Sequence, residues 1–79
     1  MKHAREDYNR IQDPAGKIAE DEPVFLLRAK DKLAPDIVQA WGLAMIEIGG
    51  DQNLAQLALD HADKMREWQA INGSKVADI

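Results

Sequence analysis

Tyr8, Asn9, Arg10, Lys17 and Arg28 are the residues of this chain whose types suit a ligand site. A tyrosine ring can stack on a base, and an asparagine amide can read a base edge. Arginine and lysine can grip phosphate, arginine by two parallel hydrogen bonds. The chemistry they suggest is capture of an anionic nucleotide rather than catalysis. The competing reading is structural: Arg28 can pair with Asp13 or Asp31 in an ordinary ion pair. Gly16-Lys17 is not a phosphate loop, because the Gly-x4-Gly-Lys-Ser/Thr pattern is absent.

No other constellation carries a reaction. His61 follows Asp60, a pair that could orient a base, but no nucleophile stands near it. The single serine, Ser74, lies in the C-terminal tail. There is no cysteine, so disulfides and thiolate metal sites are excluded. His3 and His61 are too few and too far apart for a zinc motif. Glu20-Asp21-Glu22 lacks the alternating oxygen ligands and central glycine of a calcium loop and reads as a solvated acid run. The expectation is a chain with no catalytic residues, no metal and no cofactor.

The elements that must position these residues are helical. Residues 35–49 read as a helix that is apolar on nearly every side. Ile37, Val38, Trp41, Ala44, Met45 and Ile48 share one broad face, while Leu43 and Ile46 point elsewhere. Pro35 and Asp36 suit its first turn, and Gly49-Gly50 ends it. Asp51 is placed to cap a third helix over 51–71, which stops at Asn72-Gly73. Within it Leu54, Ala58, His61, Met65 and Trp68 recur at spacings of four and three, a packing seam that Leu57 and Ala62 widen. Asp60, Asp63, Lys64 and Glu67 fall on the opposite face and its flank. The two-glycine link makes these helices an antiparallel hairpin.

The rest is shorter. Residues 1–22 form an N-terminal arm, with a type I turn at Asp13-Pro14-Ala15-Gly16. Residues 23–33 carry the run Val24-Phe25-Leu26-Leu27, which suits either a buried strand or a short helix. Pro23 at the start and Lys30 and Lys32 at the end favour the helix. Residues 72–79 are a tail. The fold class is therefore all-α: a helical hairpin with an N-terminal arm and a short helix, in one domain.

Seventy-nine residues bury only about 60% of their unfolded surface, so a chain this short needs help to be stable. With disulfides and metals excluded, oligomerisation remains. An all-round apolar helix points the same way. Trp41, Leu43, Met45, Ile46 and Trp68 are the expected interface residues of a homo-oligomer, at least a dimer. The net charge of −4 argues against duplex DNA as a partner. Seven of the ten Lys and Arg precede residue 37, but so do eight acids. Neither a signal core nor a run of membrane-spanning length is present, so a cytoplasmic protein without a membrane partner is expected.

The run Arg10-Ile11-Gln12-Asp13-Pro14, Gly16, then Asp21 to Ala29, Asp31 and Ala34-Pro35, resembles small bacteriophage- and prophage-encoded proteins of uncharacterised function. The likeness covers roughly residues 8–48. It implies a phage accessory protein that acts on a host process inside an infected or lysogenic bacterium. Proteins of that kind include inhibitors of bacterial defence, some binding defence proteins and others sequestering nucleotide second messengers. Two readings follow. One is a counter-defence protein that holds an anionic nucleotide signal or masks a host defence protein. The other is a structural or regulatory adaptor with no small-molecule ligand.

Overall fold

The computed structural model describes residues 13–78, together with the backbone of Lys2–His3. Two antiparallel helices dominate it, α1 over Ala34–Glu47 and α2 over Gln52–Asn72. Two short strands precede them, β1 at Lys2–His3 and β2 at Pro23–Val24, paired in parallel with Lys2 opposite Pro23. A two-residue pairing supplies no layer for the helices to pack on, and the class is all-α.

Local chemistry sets the helix ends. Pro35 stands in the first turn of α1, where its missing N–H costs nothing, and Asp36 adds a negative charge at the positive end of the helix dipole. The other end closes as a Schellman motif: the Gly50 amide donates to the Met45 carbonyl at 2.8 Å and the Gly49 amide to Ile46 at 3.1 Å. Gly49 reaches the left-handed region this needs, with φ of 72°. Asp51 then caps α2, its Oδ1 accepting the Leu54 amide at 3.0 Å. The link is thus a stop and a start in immediate succession, and it turns the chain back on itself.

The seam between the helices is made of small residues. Ala55, Ala58, Ala62 and Met65 recur on α2 at spacings of three, four and three, and all are buried. On α1 the buried positions are Ala34, Pro35 and Gly42. A Cβ at Gly42 would lie 3.0 Å from Leu59 Cδ2 and 3.1 Å from the Ala55 carbonyl oxygen. The two backbones approach closely there because Gly42 has no side chain and Ala55 only a methyl, while Leu59 lays its side chain over the glycine.

This corrects the expected seam. Ala58 and Met65 keep their places, but Leu54, His61 and Trp68 are turned out to solvent. The physical reason is clearance. Rotating α2 by part of a turn exchanges a stripe of bulky residues for a ridge of methyl groups that fits against Gly42. The broad face expected on α1 rotates likewise: the side toward α2 centres on Gly42, leaving Ile37, Trp41, Ala44 and Ile48 exposed and Val38 and Met45 half-buried.

The turn at Asp13–Gly16 forms as expected, the Gly16 amide donating to the Asp13 carbonyl at 3.0 Å. The Asp13 carboxylate also accepts the amides of Lys17 and Ile18, at 3.2 and 3.0 Å. The short helix over 23–33 does not form. Pro23 and Val24 pair as strand, residues 25–28 are irregular, and residues 29–33 run through turns. Contacts distant in sequence decide this. The Lys75 amide donates to the Lys30 carbonyl at 2.9 Å, and the Lys32 amide to the Lys75 carbonyl at 3.0 Å. Gln69 Nε2 donates to the carbonyls of Ala29 and Asp31. Asp31 binds the Leu33 amide with its side chain, a local bond that competes with helix formation. The tail is therefore anchored at Lys75, with Lys75 Nζ also paired to Asp78 at 2.8 Å.

Candidate association face

With the seam closed mainly by small residues together with Met65 and Leu59, most large apolar side chains of both helices lie elsewhere. On α1 and its C-cap residue, Ile37, Trp41, Ala44 and Ile48 recur at i, i+4, i+7 and i+11. On α2, Leu54, Leu57, His61, Lys64, Trp68 and Ile71 recur at alternating spacings of three and four. All ten are exposed, Leu57 by 63% and Trp41 by 48%. Each set lies roughly 80–180° around its helix from the seam.

The two sets face the same way. Arg66 of α2 reaches across the hairpin to Asp36 of α1 at 3.0 Å and to the Gln39 amide oxygen, and it also binds Asp63 at 3.2 Å. This network marks one flank as polar. On α1, Asp36 and Gln39 are turned one way from Gly42, and Ile37 and Trp41 the other. On α2, Asp63 and Arg66 are turned one way from the alanine ridge, and Leu57, His61 and Trp68 the other. Antiparallel helices have opposed senses of rotation, so equal offsets from the seam emerge on one side of the pair. The hairpin is a slab with an ion-paired face and an apolar face.

Trp68 sits at the open end of the apolar face. Lys30 Nζ stands 5.9 Å from its ring centroid, a cation–π contact that ties the loop before α1 to the ring. His61 and Lys64 give the middle of the α2 stripe its polar groups.

The expected interface residues divide on this geometry. Trp41 and Trp68 share the apolar face. Leu43 is exposed on the other flank, between the turns that carry Asp36 and Glu47. Ile46 is half-exposed on the Gln39 side. Met45 folds over the link, where a Cβ on Gly50 would come within 2.8 Å of its Cε.

Of the residues expected to hold an anion, Lys17 and Arg28 are both exposed on the irregular segment before α1. Tyr8, Asn9 and Arg10 lie outside the described residues. Of the carboxylates considered as partners for Arg28, Asp13 accepts the amides of Lys17 and Ile18, and Asp31 that of Leu33. Among the described residues no group of three or more His, Asp or Glu is placed to hold a metal ion. No helix among them is long and apolar enough to cross a membrane.

Sequence reasoning picked out both tryptophans and set Leu57 beside Leu54, His61 and Trp68, but it read that stripe as the seam and missed Ile71 as its last member. The signal was present in the alanines at 55, 58 and 62, which claim the seam for themselves. No family model matches the chain, and no curated protein or solved structure is similar to it.

Proposed function

We propose that this chain is a non-enzymatic protein-association module whose working surface is the apolar face of the helical hairpin. One observation carries the reading: apart from Leu43 and Ile46, the exposed large apolar side chains of the hairpin concentrate on one face while the opposite face holds the Arg66 network. Scattered exposed apolar residues are ordinary on a protein surface. A continuous stripe on two adjacent helices is an interaction site or a liability. Tryptophan is enriched at the energetic centres of such sites, and Trp41 and Trp68 both stand on this one.

Of the two readings open from sequence, the geometry favours the adaptor over capture of an anionic nucleotide. Lys17 and Arg28 belong to a segment without a helical scaffold. The apolar face, by contrast, is built on rigid elements. If the resemblance to phage accessory proteins holds, such a module would act on its host by covering a protein surface.

Site-specific photocrosslinking in cells tests the proposal. A photoreactive phenylalanine analogue at Leu57 or Trp68 is expected to give protein adducts. The same residue at Gln56 or Asp63, on the polar flank, is expected to give few. Equal yields from all four positions would refute the association face.

A further inference from the structure

We infer that the occupant of the apolar face is a second copy of this chain, with α2 packed antiparallel on α2 about a two-fold axis near positions 62 and 63. The inference rests on the reading of that face as an association surface and names its partner.

The first support is that the deficit belongs to the hairpin itself. Among the described residues no large side chain is fully buried, and the core is alanine and one methionine. A face whose burial the fold depends on needs a cover wherever the folded chain exists. A second copy is always present at the chain's own concentration.

The second support is the stripe on α2, which is complementary to its own reverse. An axis midway between Leu54 and Ile71 sets Leu54 opposite Ile71 of the other copy, Leu57 opposite Trp68, and His61 opposite Lys64. Apolar residues meet apolar ones, and the two polar residues meet at the centre. Displaced by one residue in sum, Lys64 falls beside Asp60 of the other copy, a pair of opposite charges. Asp60 accepts Gln56 Nε2 at Oδ1, 2.9 Å away, and its Oδ2 can accept a lysine.

The third support comes from α1. Asp36 and Gln39 meet Arg66, so Ile37 and Trp41 of α1 lie near the level of the proposed axis. The same two-fold operation sets Ile37 of one copy opposite Trp41 of the other. One axis therefore serves both helices, giving a four-helix arrangement with isologous contacts.

Area agrees. The chain as a whole, arm and loops included, exposes 6149 Å², whereas a compact monomer of this mass exposes about 4,800 Å². A standard interface removes about 800 Å² from each partner, well within the difference.

The cysteine-free sequence provides a clean test. Light scattering of the purified full chain at micromolar concentration is expected to give twice the 8.8 kDa mass. Leu57→Cys chains mixed with Trp68→Cys chains are then expected to form a mixed disulfide dimer faster than either forms its own. Like positions in the proposed register stand about 16 Å apart along the helix axis, eleven residues at 1.5 Å each. Circular dichroism on each variant confirms that it is folded; the scattering of the unaltered chain does not depend on any variant. A dimer that crosslinks faster at like positions overturns the antiparallel register. A clean monomer at 100 µM overturns the second-copy inference. If Leu57 and Trp68 still give adducts with another protein in cells, the association face stands without it; if they give none, both fall together.

Discussion

Gly42 sets the tolerance of the whole seam, because Leu59 and the Ala55 carbonyl already stand where its Cβ would go. A leucine there must push the helices apart. Gly42→Leu is expected to destabilise by roughly 1–3 kcal/mol through overpacking, read from a urea or thermal transition. Ala58, buried on the facing ridge, is subject to the same limit, and Ala58→Phe should cost a similar amount. Ala44, exposed on the apolar face, serves as the comparison: Ala44→Leu adds bulk without meeting the seam and is expected to leave the hairpin intact. If Ala58→Phe proved silent, the alanine ridge would not be the contact between the helices. Arg66 belongs to a different class. Its side chain is 38% exposed, so its ion pairs are screened by solvent, and Arg66→Ala should cost no more than about 1 kcal/mol.

At the level of elements, what was legible in sequence was what is local. The turn at Asp13–Gly16, the Gly49-Gly50 stop and the Asp51 cap each depend on a few neighbouring residues, and each forms as read. Asp51→Ala removes one side-chain bond to the Leu54 amide and is expected to lower stability by about 1 kcal/mol in a urea titration. Residues 23–33 were not legible, because their conformation is set from Lys75, Gln69 and the Lys2–His3 strand. Gln69→Leu tests that dependence. It should speed hydrogen exchange at the amides of Lys32 and Lys75 while α1 and α2 keep their slow exchange; unchanged rates would mean that Gln69 does not anchor the loop. The face of α2 was half legible. Two stripes satisfy the three-four spacing and share Ala58 and Met65. Hydrophobicity alone prefers the bulky one, and close approach of two backbones prefers the small one. Of the candidate site residues, Trp41 and Trp68 were found because size marks them. Leu43 was placed with them only because helix α1 is apolar on so many sides.

For the whole molecule, flatness is the governing property. Its principal extents are 36 × 35 × 19 Å, so it is about half as deep as it is wide, and the two helices lie side by side in a single layer, each about 10–12 Å across with side chains. Two layers around a core is the usual minimum for a domain. The face-to-face pairing proposed above would supply a second layer, and it would make folding stability depend on mass action. The melting temperature is therefore expected to rise with protein concentration, each tenfold increase adding about 1.4 kcal/mol to the free energy of forming a dimer from unfolded chains. A melting temperature constant from 1 to about 100 µM would show the hairpin to be self-sufficient.

The alanine ridge also fixes how sharply the protein can come apart. The dependence of unfolding free energy on urea scales with the surface newly exposed, as does the heat capacity of unfolding. A hairpin zipped by methyl groups has little to expose, so alone its denaturation would be broad, with a slope at or below about 1 kcal/mol per molar urea. A steep, cooperative transition from the same chain would have to draw its extra surface from the tryptophan-bearing side.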